Sequence, residues 1–225
     1  AALLLAFLGV LGIHNAGSSA LENGIFLRQL VWVGLGVGVC LVIMSIDYHF
    51  LVDHAFLFYF LAIALLVGIL FFGTEINSSR SWFTIGDLSF QPSEIAKIAL
   101  ILILARYLDG MSENFLKPKQ VFILAFVTFL PIILIIAQGD LGTAIMYLPI
   151  FVGITIVAGL KGRLFFGLVA LLLSLIPFGW LVLEDYQKQR ILVTLDPELD
   201  PQGVGYQTRQ SQIAIGSGGV FGKGL

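Results

Sequence analysis

Two acids stand directly before prolines, Asp196-Pro197 and Asp200-Pro201, in the stretch LDPELDPQGVGYQTRQSQIAIGSGGVFGKGL that runs from Leu195 to Leu225. A proline holds the residue before it in extended or turn backbone, and Gly203 and Gly205 let the chain turn tightly just afterwards. Tyr206, Gln207 and Gln210 add side chains able to hydrogen-bond. A carboxylate in such a setting serves as a turn former. Within about 3 Å of a substrate hydroxyl it can also act as a general base. Local chemistry does not choose between Asp196 and Asp200, nor between these two uses.

Four more groups carry unusual polarity. QPSEIAK places Glu94 and Lys97 three residues apart, on one face of a helix that Pro92 is suited to start. The next charge is Arg106, so the pair lies about one turn into an apolar helix. A charge at mid-bilayer costs roughly 2.5–3.5 kcal/mol and less near the interface. The pair is therefore either a salt bridge at a helix start or a cation held beside a cavity that receives an anion. QGDLGTA places Asp140 between two glycines at the end of the fifth helix, as an N-cap for the next helix or as a partner for Lys97 or a ligand. RSWF supplies Arg80, suited to a phosphate, and Trp82, an ordinary interfacial residue. EDYQKQR supplies Arg190, whose guanidinium fork fits a phosphate or carboxylate.

The elements that must position these residues are membrane spans. Of 225 residues 58% are hydrophobic and 12% charged, half the charge of an ordinary soluble domain, and the mean hydropathy is +0.99. A net charge of −2 leaves no basic footprint for nucleic acid. Cys40 is the only cysteine, His14, His49 and His54 lie near segment ends, and no metal-ligand spacing occurs. A helix needs about 20 apolar residues to cross a bilayer. Seven segments qualify or nearly so: 1–13, 28–46, 55–73, 93–108, 121–137, 143–160 and 164–183. The expected fold is all-α, a polytopic integral membrane helix bundle. It forms a single domain over 1–225, with a large extracytoplasmic loop over 184–225 after the seventh helix. The first run reads as a helix clipped at its start.

Lys and Arg in the short loops set the orientation. Arg106, Lys117 and Lys119 follow the fourth helix, and Lys161 and Arg163 follow the sixth. Those loops are expected at the cytoplasm. The loops after the third, fifth and seventh helices, which hold the residues above, are expected to meet on the outward face. The cations of the last segment, Lys188, Arg190, Arg209 and Lys223, run against this count unless they have a ligand there.

Taken together, RSWFTIGDLSFQPSEIAKIALILILARYL, AQGDLGTA and DYQKQRILVTLDPELDPQGVGYQTRQSQIAIGSGGVFGKGL resemble the shape, elongation, division and sporulation family of RodA, FtsW and SpoVE, over nearly the whole chain and in order. The ending is most similar to the elongation branch. The resemblance implies a peptidoglycan glycosyltransferase that polymerises lipid II on the outer face of the bacterial cytoplasmic membrane beside a class B penicillin-binding protein. It implies that the acid preceding Pro-x-Gly-x-Gly-Tyr, Asp200, is the catalytic base and that Asp196 is a turn former. Lys97, Glu94, Arg80, Trp82, Asp140, Arg190 and Gln210 are the substrate-binding candidates. It also implies that spans follow Leu225, so that the chain is a fragment.

Gly139 stands where the family commonly carries proline, which implies a looser turn at Asp140. Arg209 replaces a more usual apolar residue. The leaving pyrophosphate needs cations or a metal, so a divalent metal is left open. A lipid II flippase would use the same buried charges, and a non-catalytic scaffold for the penicillin-binding protein is a third reading.

Overall fold

A computed structural model describes residues 2–15, 24–76, 79–86, 88–109, 111, 115–183, 185–200, 203–219 and 222. Helices dominate: α1 (Ala2–Asn15), α2 (Ile25–Ser45), α3 (Tyr48–Asp53), α4 (Ala55–Phe72), α5 (Pro92–Asp109), α6 (Pro118–Ala137), α7 (Leu141–Ile145), α8 (Tyr147–Val157), α9 (Gly162–Val182), α10 (Asp185–Leu195) and α11 (Val204–Gly218). Four of them, at 25–45, 55–72, 118–137 and 162–181, are long and apolar enough to cross a membrane. The sequence expectation of seven spans thus resolves unevenly. Helix α5 has the length but carries Glu94, Lys97, Arg106 and Asp109. The span expected over 143–160 is broken at Met146. Pro149 has no N–H for the Ile145 carbonyl and its ring crowds that position, so the chain restarts as α8.

The chain divides into two compact units, 42–167 and the pair of segments 1–41 and 168–225. In the first unit α4 packs against α5 and α6, and α5 packs against α6 and α8. The buried positions of α4 are Ala55, Tyr59, Ala62, Leu66 and Ile69, spaced alternately four and three apart, as one face of a helix requires. Its other faces carry Phe56, Phe60, Phe71 and Phe72, all exposed. Every face is apolar, so hydrophobicity alone does not choose the inner one. The inner face carries Ala55 and Ala62, and α5, which packs on α4, buries Ala96 and Ala99; small residues of this kind let helices approach closely.

Helix α6 contains Pro131. Its missing N–H strips the Val127 carbonyl of its usual partner four residues on, inside an apolar layer that offers no replacement. The Tyr59 hydroxyl of α4 donates to that carbonyl at 2.7 Å. A defect in one helix thereby becomes a bond between two.

The segment between α4 and α5 departs from an all-helical reading. Strands β1 (Thr74–Ile76), β2 (Ser79–Ile85) and β3 (Leu88–Phe90) form an antiparallel meander in that order. Thr74 pairs with Trp82, Glu75 with Arg80, and Phe83 with Phe90. The aromatic and β-branched residues of RSWFTI suit a pleated surface, and Gly86 takes φ 61° in the turn after β2.

In the second unit, α10, a 3₁₀ turn (Pro197–Leu199) and α11 pack on one another. The stretch expected as a large loop is therefore mostly helical over its described part. Helix α11 continues through Gly216 to Gly218.

Candidate functional site

The polar end of the first unit is assembled where β2, the start of α5 and the α6–α7 turn converge. The Arg80 N–H donates to the Gln138 carbonyl at 2.9 Å, tying the sheet to the end of α6. Gln138 is buried, and its amide donates to the Leu66 carbonyl of α4 at 2.9 Å. Asp140 caps α7: Oδ1 accepts from the Thr143 N–H at 3.0 Å and Oδ2 from the Thr143 hydroxyl at 2.8 Å. Oδ2 also accepts from Gln91 Nε2 at 2.9 Å. Gln91 immediately precedes Pro92, so this bond fixes the entry of the chain into α5. The buried Tyr147 of α8 donates its hydroxyl to the Ser93 carbonyl at 2.8 Å. The connections after the third and fifth expected spans therefore meet.

On the platform so fixed, Lys97 Nζ lies 2.9 Å from the Glu94 carboxylate. The Glu94 side chain is 58% exposed and that of Lys97 25%. Of the two earlier readings of Asp140 the geometry shows the cap. It is an N-cap, and its second partner is Gln91 rather than Lys97. The looser turn implied by Gly139 is corrected. Gly139 has φ 81°, a value closed to proline, and the turn is pinned by the three bonds that Asp140 accepts. Arg80 is turned inward to α4: Nη1 reaches the Leu70 carbonyl at 3.4 Å. A side chain at Gly73 would press on Arg80 Cγ at 2.9 Å and on the Ile69 carbonyl. The guanidinium thus sits at the negative end of the α4 dipole. Trp82 is half-buried on β2.

In the second unit the two Asp-Pro acids take different posts. Asp196 caps the 3₁₀ turn, accepting from the Glu198 N–H at 3.1 Å. Asp200 closes that turn and faces the start of α11: its Oδ1 accepts from the Gly203 N–H at 2.9 Å and its carbonyl from the Gly205 N–H at 3.0 Å. A Cβ at Gly203 would stand 2.8 Å from Asp200 Cγ and closer still to Oδ2. Glycine is therefore required for the carboxylate to lie where it does. Lys188 approaches Asp185 at 4.0 Å. Gln210 and Arg209 are exposed on α11, and nothing in the structure accounts for arginine at 209. Arg190 lies on α10, with its side chain outside the described residues. Lys223 and Glu184 are also outside them.

Sequence reasoning missed Gln91, Thr143, Gln138 and Tyr147 as fasteners, and Gly203 as the residue that makes room for Asp200. A signal existed for Gln91 and Thr143, which sit inside the quoted motifs QPSE and QGDLGT. None existed for Tyr147, one aromatic among many. Among the described residues no three His, Cys, Asp or Glu side chains converge.

The model of the FtsW/RodA/SpoVE cell cycle proteins matches residues 1–225. The chain belongs to this family. Among its relatives, the peptidoglycan glycosyltransferase MrdB of Escherichia coli K12 is 36% identical over 99% of the chain and 60% of its own length. The stage V sporulation protein E of Bacillus subtilis is 34% identical over 99% of the chain and 63% of its own length. The chain thus spans about three fifths of these FtsW/RodA/SpoVE proteins.

A solved chain from a study of how a peptidoglycan synthase complex coordinates polymerisation and crosslinking aligns with TM-score 0.77. It is 38% identical, covering 97% of this chain and 66% of its own. The crystal structure of Thermus thermophilus RodA aligns with TM-score 0.62 at 34% identity, over 77% of this chain and 58% of that one. Family membership and the apolar helices make this an integral membrane protein, helical in architecture like RodA.

Proposed function

We propose that this chain is the larger part of a peptidoglycan glycosyltransferase, one that polymerises lipid II on the extracytoplasmic face of the bacterial cytoplasmic membrane. The observation that carries the reading is the match along the whole chain to proteins named for that activity. In the reaction, the 4-hydroxyl of an acceptor N-acetylglucosamine attacks the anomeric carbon of a lipid-linked N-acetylmuramic acid. The new glycosidic bond forms as the bond to undecaprenyl pyrophosphate breaks, with inversion. The hydroxyl proton goes to a carboxylate, a role worth about 10²–10⁴-fold.

Asp200 is that base. Its place at the start of α11 supports the role, because the Gly203 N–H orients the carboxyl group while Asp196 is occupied as a cap. Lys97, oriented by Glu94, carries the negative charge developing on the pyrophosphate. Asp140 acts through Gln91 to fix the helix that presents Lys97. Arg190, Trp82 and Gln210 are further contacts for the lipid-linked sugar, and Arg80 is a weaker candidate because it faces the Leu70 carbonyl. The partner is a class B penicillin-binding protein, in keeping with the polymerising and crosslinking complex that holds the similar chain.

The test is polymerisation of lipid II by the purified full-length protein, with and without Asp200→Asn. Glycan strands from the parent and none from the variant are expected. Lipid movement without polymer in the parent would establish the flippase instead. Polymer from both proteins would remove Asp200 from the chemistry.

A further inference from the structure

Tyr147 is fully buried, with 0% of its surface exposed, and it opens α8 one residue past the break at Met146. A buried tyrosine hydroxyl needs an acceptor. Phenylalanine would fill the same space without that requirement. The acceptor here is the Ser93 carbonyl of α5, at 2.8 Å. Ser93 is itself buried, and its own hydroxyl has no partner among the described residues. At Ser93, α8 therefore holds the backbone of α5 rather than a side chain.

The place of that bond matters. In an α-helix each carbonyl faces the N–H four residues on, so within α5 the Ser93 carbonyl stands opposite the Lys97 N–H. The residue after Ser93 is Glu94, the partner of Lys97 at 2.9 Å. The N–H groups of a helix's opening turn have no partners within the helix, so that turn is the part least held by its own bonds. In α5 two bonds from the chain that follows α6 hold it. Gln91 bonds Asp140 at 2.9 Å just before Pro92, and Tyr147 bonds Ser93 inside the first turn. The break at Met146 separates the two duties. Helix α7, capped by Asp140, serves the first, and α8 serves the second.

We infer that Tyr147 is a positioning residue for the reaction, whose hydroxyl holds the first turn of α5 so that the Glu94–Lys97 pair keeps its place against the anionic leaving group. It touches no reacting atom and acts through the Ser93 carbonyl. The inference rests on the reading of Lys97 as the cation that meets the leaving pyrophosphate. A tyrosine that served only to bury its ring would stabilise the fold and leave Lys97 indifferent to its hydroxyl.

Tyr147→Phe removes the hydroxyl and keeps the ring, and two measurements on the full-length protein in detergent read the result. In the first, NMR of protein whose lysines carry isotope-labelled methyl groups follows the Lys97 signal, located by its absence from Lys97→Arg. In Tyr147→Phe that signal should move toward the position it takes in Glu94→Gln. In the second, lipid II polymerisation by Tyr147→Phe should show kcat lower by about threefold, the worth of an average hydrogen bond between membrane helices, with KM unchanged. The same substitution in a Lys97→Met background should leave turnover where Lys97→Met alone puts it. A loss of stability would be the same in both backgrounds and would not produce that difference. A Lys97 signal unmoved by Tyr147→Phe, or an equal loss of kcat in both backgrounds, would overturn the inference. If the parent makes no polymer, the glycosyltransferase reading fails, and the Lys97 signal alone decides whether Tyr147 holds the pair in place.

Discussion

The junction of β2, α5 and the α6–α7 turn and the acid-bearing turn before α11 hold their polar groups in opposite ways. In the first, alongside the local cap from Thr143 to Asp140, four bonds link residues far apart in sequence: Gln91 to Asp140, Gln138 to Leu66, Arg80 to Gln138, and Tyr147 to Ser93. In the second, Asp196 and Asp200 accept from the N–H groups of Glu198 and Gly203, two and three residues on, among the bonds that seat them. A group fixed by distant partners takes its precision from the packing of several helices, and its loss loosens all of them. A group fixed by a local turn can be disturbed with little effect elsewhere. The junction should therefore fail in stability first and the turn in activity first.

The largest effect expected from that contrast is at Gly203. Alanine there collides with the Asp200 carboxyl group and must push it aside. Polymerisation by the full-length Gly203→Ala protein should fall about 10²-fold, approaching the loss in Asp200→Asn, because a misplaced base forfeits most of its contribution. The melting temperature should stay within a degree or two of the parent. A cold, inactive, fully folded protein sharpens the contrast. Loss of fold at this one glycine would break it.

Next in size is Lys97. Replacement by methionine keeps the length of the side chain and removes the charge, and a cation aimed at a developing anion is worth roughly 10²-fold in turnover. Glu94→Gln should cost less, about tenfold, because Nζ keeps its charge and loses only the partner that holds it at 2.9 Å. If Glu94→Gln is the more damaging of the two in turnover assays, Lys97 is a structural partner of Glu94 and not the reverse.

Asp140 tests the other half of the comparison. Asp140→Ala removes the cap of α7 and the anchor of Gln91 together, a loss of about 1–2 kcal/mol, visible as a lower melting temperature. Asp140→Asn keeps an oxygen for the Thr143 N–H and should recover about half of that. Asp196→Ala, the matching cap in the other unit, should cost no more than about 1 kcal/mol and leave turnover nearly unchanged.

How far the sequence discloses this arrangement depends on the length scale over which each feature is decided. The spans are legible because about 20 apolar residues leave few alternatives. The strand meander between α4 and α5 is not, since three short strands produce no long alternation. Helix α11 is hidden for a related reason: the glycines of IAIGSGG weigh against a helix residue by residue, yet α11 extends to Gly218. Asp140 shows both outcomes in one residue. Its cap is readable from its position before LGTA. Its bond to Gln91, 49 positions away, is readable only once the helices are packed. Asp196 and Asp200 are alike in composition, and the geometry separates them through Gly203, whose lack of a side chain is what Asp200 needs.

The smallest effect concerns the bond between Tyr59 and Val127, and it asks whether a long-range fastener in the first unit can be replaced by a local one. Tyr59→Phe leaves the Val127 carbonyl without its donor, because Pro131 cannot supply one. Hydrogen bonds between helices in membranes average about 0.6 kcal/mol, so the variant should melt only slightly lower than the parent. Pro131→Ala restores an N–H at the position that normally serves that carbonyl. In the double variant the cost of Tyr59→Phe should therefore shrink toward zero. Four proteins and one thermal-denaturation series in detergent give the coupling. An undiminished cost in the Pro131→Ala background would mean that Tyr59 contributes through packing among α4, α5 and α6, and that the bond at 2.7 Å is a consequence of that packing and not a source of it.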